Sequence, residues 1–209
     1  MGIKNKETFK YNYNLEVSNN RCPQGPGSDS KLVKQSGTVE FLNSIIKKYQ
    51  IKSINDCPSG LFNNWVYLVD LTGVKYVGYD INDLVVERNE IEHPEISFFE
   101  FDLVSEILPY ADLIICRDCF FHLSNSFVIR AIENFCNSKS IYLLATEHNW
   151  LKTNRELTIK ELEVEVGYRH INLEIDPYNL GSPIEIHNEE TWRYYEGGNN
   201  RQLSLWKLN

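Results

Sequence analysis

Residues 51–81, IKSINDCPSGLFNNWVYLVDLTGVKYVGYDI, read as a strand, a turn, a helix-like span and a second strand. The first apolar run, Ile51 to Asn55, ends in the turn Asp56-Cys57-Pro58-Ser59-Gly60; the second, Lys75 to Tyr79, ends in Asp80-Ile81. Pro58 fixes a turn, and Gly60 lets the backbone come close to a ligand. The two aspartates stand 80 − 56 = 24 positions apart. At that spacing a βαβ nucleotide-binding unit places the carboxylate that accepts from ribose hydroxyls.

The alternation continues outward from this unit. Ile96 to Phe99, Asp112 to Cys116 and Ser140 to Ala145 read as strands, and helix-like spans lie near 61–71, 82–90 and 124–136. Upstream, Val39, Phe41, Leu42, Ile45 and Ile46 followed by Lys47 and Lys48 give an amphipathic helix with cations at its carboxyl end. The pattern predicts an α/β fold, a mostly parallel sheet with helices on both faces. Two later apolar segments, Tyr168 to Ile175 and Gln202 to Leu208, have no long helical pattern between them, only Pro177, Gly181, Pro183, Gly197 and Gly198. An antiparallel closing hairpin or a long excursion fits that interval.

With 209 residues, 42% of them hydrophobic, the chain can build one core. The expected division is a polar arm or lid over 1–35 and a single domain over 36–209, in which 149–200 forms an acceptor-binding excursion. The charge, 21 − 29 = −8, leaves no cationic excess for a phosphate backbone, so nucleic-acid partners are not expected. No run approaches the ~20 apolar residues of a membrane span, and MGIKNKETFKYNYN lacks a signal-peptide core. A cytoplasmic protein without membrane partners is expected. Lys6 stands where a myristoylation pattern wants Ser or Thr. The cysteines Cys22, Cys57, Cys116, Cys119 and Cys136 are odd in number, and the lone Cys116-x-x-Cys119 lacks a second ligand pair. Reduced buried thiols are expected, and no metal.

Ligands of open α/β sheets bind at the carboxyl ends of the strands. There the sequence places Asp56, Pro58, Ser59 and Gly60, then Asp80 and Ile81, then Asp102 and Leu103, then Arg117, Asp118 and His122. The first loop has neither GxGxxG nor GxxxxGK[ST], which disfavours a pyrophosphate and favours an adenosine cofactor without one. S-adenosyl-L-methionine is the common cofactor of that kind, and its cationic sulfonium suits Asp56. Asp56 read blandly caps the following span, and Trp65 is a core residue before it is a base stack. Arg117 and Asp118 form either an internal salt bridge or part of the site. His122 is the general-base candidate, with Asp118 and His148 as further candidates, since an imidazole near its ordinary pKa of ~6.5 accepts a proton at neutral pH. The aromatic-rich final third suits a sugar ring or an ordinary core.

These residues resemble class I S-adenosylmethionine-dependent methyltransferases, and more narrowly a branch with an Asp-x-Pro-Cys-Gly-Asp-Phe-x-Trp first motif. The matching stretch is Asp56 to Phe62, with Trp65 displaced by one residue and with Ser59 and Leu61 replacing the branch's Cys and acid. Tyr76-Val77-Gly78-Tyr79-Asp80-Ile81, Cys116-Arg117-Asp118-Cys119-Phe120-Phe121-His122-Leu123-Ser124, Tyr142 to Thr146 and Gly167 to Pro183 are similar to its later motifs. The resemblance spans roughly residues 25–190. It implies a seven-stranded Rossmann-like sheet with an antiparallel final strand. It also implies S-adenosylmethionine across strands one to three, with Asp56, Pro58, Ser59, Gly60, Asp80, Ile81, Asp102, Leu103 and Arg117 around it, and S-adenosyl-L-homocysteine as product. A small polar acceptor follows, methylated on an oxygen of a sugar or surface-glycan precursor. Two rival readings stand beside it: a non-catalytic binding module on the same fold, and a nicotinamide-dependent oxidoreductase, which the missing loop glycines disfavour.

Overall fold

The segment Leu113–Cys116, LIIC, is buried at every position, as a strand covered on both faces must be. It is β4, and the sheet grows from it in both directions. The computed structural model describes residues 36–158, 161, 167–189 and 201–208. In chain order these form α1 (Thr38–Lys48), β1 (Ser53–Asp56), β2 (Lys75–Asp80), α2 (Asp83–Glu92), β3 (Ser97–Glu100), β4, α3 (Asn125–Asn137), β5 (Tyr142–Glu147), β6 (Glu185–Glu189) and β7 (Arg201–Lys207). The seven strands lie in the order β3-β2-β1-β4-β5-β7-β6. The first five run parallel, and β7 is antiparallel to both β5 and β6. The strand order reverses between β1 and β4, so the crevice of the fold lies at their carboxyl ends.

Alternate side chains of the strands feed two apolar layers. On one face Ile54, Leu113, Ile115, Leu144 and Leu205 pack against Val39, Leu42 and Ile45 of α1. On the other, Ile114, Leu143, Ala145 and Trp206 pack against Val128, Ala131, Ile132 and Phe135 of α3. Both helices obey the spacing read from the sequence, and Ser124 caps α3 by accepting from the Phe127 amide. No described helix is long and apolar enough to cross a membrane.

Three expectations are corrected. The span 61–71 is not a helix but two 3₁₀ turns, Phe62–Asn64 and Val66–Leu68, with an extended Trp65 between them. Leu61, Phe62, Trp65, Val66 and Val69 are buried all the same, and Asn89 fixes the entry to the turns by binding the Gly60 carbonyl and the Phe62 amide. Tyr168 to Ile175 forms no strand. It crosses the end of β5, pairing Ile171 with His148, while Ile171 and Leu173 fill the second apolar layer. The sixth strand is instead Glu185–Glu189, inside the interval expected to be an excursion; as a short, charged edge strand it carries no apolar alternation. The arm expected over 1–35 lies outside the described residues.

Gly78 in β2 is required by packing. A Cβ there would lie 2.7 Å from Phe98 Cε1 and 3.1 Å from Ser59 Cβ, and the Phe98 ring is fixed edge-on by Phe62 and Tyr76. Gly78→Ala is therefore expected to destabilise the protein by about 1–3 kcal/mol, the usual cost of overpacking a core, measured as a shift of the urea midpoint at constant m-value.

Candidate active site

The turn after β1 is stitched to the end of β2. The Ser59 amide donates to the Tyr79 carbonyl at 2.8 Å, and the Gly60 amide donates to Asp80 Oδ2 at 3.0 Å. The other Asp80 oxygen accepts the Asn82 amide at 2.9 Å. Gly60 takes a φ of 55°, which its missing Cβ permits. Asp56 accepts from the Tyr76 hydroxyl at 2.7 Å. Burial pushes the Asp56 carboxyl up to about 7; Asp80 adds to this, and the Tyr76 bond and Arg117 oppose it. Burial likewise raises Asp80 to about 6 against the pull of the Asn82, Gly60 and Ile81 amides. Pro58 and Ile81 are half-buried beside them, and Cys57, Cys116 and Cys119 are buried free thiols beneath.

Asp102 and Leu103 sit at the end of β3. The Asp102 carboxylate is engaged locally, accepting from the Val104 amide and the Ser105 hydroxyl, while the Leu103 carbonyl accepts from Asn134.

Arg117 and Asp118 are both members of a buried charge network. Arg117 Nη1 lies 3.1 Å from Asp118 Oδ2, and its Nη2 donates to Glu189 Oε1 at 2.9 Å. Arg201 meets the same two acids, Asp118 Oδ1 at 3.2 Å and Glu189 Oε2 at 2.9 Å. Thr38 and Thr146 add hydroxyls to Glu189 and Asp118. Burial alone would raise the Glu189 carboxyl, but Arg117 and Arg201 outweigh it and hold it at about 2. Asp118 adopts a φ of 56°, a strained value for an L side chain. With both its oxygens shared between two guanidinium groups, Asp118 is placed as a network member rather than as a proton acceptor. Arg117 also stacks on Trp65, 5.4 Å from the ring, and Trp65 is a core residue.

His122 lies on the 3₁₀ turn Phe120–His122 after β4 and is half-buried. Its Nδ1 is 2.6 Å from the Gly167 carbonyl, which can only accept, so Nδ1 carries the proton and Nε2 the lone pair. Burial lowers the His122 pKa, with Arg169 adding and Gly167 and Asp118 opposing, which keeps the ring neutral at pH 7. His148 is placed differently. It is wholly buried, its Nδ1 accepts the Ile171 amide at 3.2 Å, and its Nε2 faces the Tyr168 hydroxyl at 3.4 Å. With its lone pair committed to backbone, His148 is a structural histidine here. Phe121, Tyr168, Trp150 and His170 pack edge-to-face around the two imidazoles.

Magnesium protoporphyrin IX methyltransferase from Synechocystis, solved with bound S-adenosylmethionine, superposes with a TM-score of 0.59 at 14% identity, covering 85% of this chain and 81% of that one. The chain has the class I methyltransferase fold. The O-methyltransferase of a Brevibacillus brevis polyketide multienzyme, in complex with S-adenosyl-L-homocysteine, matches at TM-score 0.60 and 13% identity over 85% and 74% of the two chains. The Bradyrhizobium japonicum N-methyltransferase NodS matches at 0.56 and 11% over 86% and 98%. No protein-family model and no curated protein matches the sequence.

The methyltransferase fold also brings in residues that sequence reasoning missed. Asn89 pins the first loop, Glu189 and Arg201 complete the charge network, and Glu147 ends β5 wholly buried. Burial raises Glu147 to about 7, Glu174 adds to this, and Ser204 and the Leu173 amide oppose it. The signal for Asn89 was present, a polar residue four positions after Val85 on the buried face of α2.

These acids set a pH dependence. Asp56 and Glu147, raised to about 7 when folded against 3.8 and 4.5 unfolded, contribute stability that is full below the unfolded values and lost as pH rises through 7. His122, lowered when folded, acts only below its ordinary value of 6.5. Between pH 6.5 and 8.5 unfolding free energy is expected to fall by about 1 kcal/mol for each acid and then to level off. Urea titrations across that range check it, and Glu147→Gln should flatten the slope.

Proposed function

We propose that the chain is an S-adenosylmethionine-dependent methyltransferase acting on an oxygen of a small polar acceptor, with a sugar or a surface-glycan precursor as the acceptor class. The observation that carries the reading is His122, whose Nδ1–H is held by a backbone carbonyl while Nε2, without a partner among the described residues, stays basic near neutral pH. A hydroxyl acceptor needs one group to take its proton, and a neutral, oriented imidazole is suited to it.

The strand-end residues fit the cofactor in chemistry. Asp80, fixed at the end of β2 by the Gly60 and Asn82 amides, would hold the ribose hydroxyls, and Asp56 would face the cationic end. S-adenosylmethionine brings a methyl group already activated for in-line displacement from sulfur. The remaining work falls to the protein: aligning the acceptor oxygen, excluding water and accepting the proton on His122 Nε2. Ionised Asp56 and Asp80 favour a cationic ligand, so affinity rises with pH through the range of about 6–7 in which they deprotonate. The sugar-like acceptor is supported by Tyr168, 40% exposed beside His122. A binding module without turnover is the second reading, favoured by Ser59 and Leu61 in the first loop, where the resembled branch carries Cys and an acid.

Calorimetry with S-adenosylhomocysteine tests the cofactor assignment. Micromolar binding is expected, weakened about 10- to 150-fold by Asp80→Ala, as for a lost charge-assisted hydrogen bond. The melting temperature of the variant is measured alongside, because Asp80 also anchors Gly60. Absence of heat and of thermal shift at millimolar ligand would sink the methyltransferase reading. Binding that survives with no turnover over a broad panel of hydroxyl and amine acceptors would favour the module.

A further inference from the structure

Arg169 is among the largest fully buried side chains, 2% exposed, and among the described residues no carboxylate pairs with it. Burying a guanidinium without a counter-charge is costly, and an apolar side chain of that volume would stabilise the core better. Its contacts are instead directed at one loop. The Arg169 amide donates to the Phe121 carbonyl at 3.2 Å. Its Nη1 donates to the Leu123 carbonyl, and Nη2 donates to Asn125 Oδ1 at 2.9 Å and to the Tyr178 hydroxyl at 3.0 Å. Tyr178 in turn donates to Asn125 Oδ1 at 2.6 Å, closing the ring of bonds. Two residues upstream, the Gly167 carbonyl receives His122 Nδ1–H.

Residues 121, 123 and 125 are thus tied to Arg169, and the residue between the first two is the imidazole bound by Gly167. We propose that Arg169 is the positioning residue of the site: it holds the 121–125 loop so that His122 keeps its Nδ1–H on Gly167 and presents Nε2 as the acceptor. The proposal rests on the reading of His122 as the proton acceptor. The groups facing His122 are Asp118, which favours the charged ring, Arg169, which disfavours it, and the neutral rings of Phe121 and Tyr168. The charge of Arg169 therefore acts against Asp118.

Long-range ¹H–¹⁵N NMR of the full chain reads this directly, without cofactor or acceptor. The sequence has five histidines, and the His122 signals are assigned by their loss in His122→Gln. In the parent, His122 is expected as the Nδ1–H tautomer, titrating below its ordinary value near 6.5. Arg169→Met should move the midpoint up and mix the tautomers, whereas Arg169→Lys, which keeps the charge, should retain the low midpoint. An unchanged midpoint and tautomer in Arg169→Met would reduce Arg169 to a stability role and overturn the proposal. Should that variant not fold, the parent still decides: an Nε2–H tautomer, or titration at or above 6.5, overturns it equally. Failure of cofactor binding would leave these signals untouched, so the two readings fail separately.

Discussion

Two guanidinium groups and two carboxylates, with a summed formal charge of zero, sit nearly dry at the carboxyl edge of the sheet. They come from the loop after β4, the end of β6 and the start of β7, and Thr38 adds the first turn of α1. Such a set is stable only when each charge keeps its opposite, since one orphaned charge in that environment costs several kcal/mol. The consequence is geometric. The antiparallel wing of the sheet is tied to the parallel half at the edge where the fold places its crevice, and the strained Asp118 is one of the fasteners.

Around that edge the loops are held by side-chain amides as much as by apolar packing. Asn89 binds the first loop through both of its polar atoms. The Asn172 side chain does the same for the segment after β5, donating to the Asn149 and Leu151 carbonyls and accepting from the Glu174 amide, while its backbone amide donates to the Asn154 side chain. Buried amides of this kind are favourable only when fully satisfied. They make the loops specific in shape, at the expense of the regular periodicity a sequence reader relies on.

That trade explains what the sequence showed. The five parallel strands, α1 and α3 were legible from their buried apolar runs and faces, and Asp56, Asp80 and the Arg117 to His122 stretch were read as candidates because ligands of such sheets sit at strand ends. β6 was not legible, because an edge strand reading EIHNE has nothing to alternate. The two 3₁₀ turns were misread as a helix because their apolar spacing is helical while their backbone bonds close over three residues, Asn64 to Leu61 and Leu68 to Trp65. The charge network depends on partners as far apart as Asp118 and Arg201, 201 − 118 = 83 positions, or Thr38 and Glu189, 151 positions, and no local pattern carries that information. His148 stood behind His122 as a further candidate in the sequence, and the Ile171 amide that donates to its Nδ1 sets it apart.

The placement of β7 bears on how the molecule comes into being. Residues 201–207 fill the gap between β5 and β6, so the sheet joins its two wings only through the strand that comes last in chain order among the seven. Until then β5 presents an open, apolar edge whose hydrogen-bonding groups have no neighbour on that side, the kind of surface that recruits foreign strands. The parallel half can assemble from contacts made earlier in synthesis, whereas closure waits on β7. A newborn chain therefore passes through an interval in which its parallel half is formed and its β5 edge is adhesive, and the speed with which β7 inserts sets how long that interval lasts.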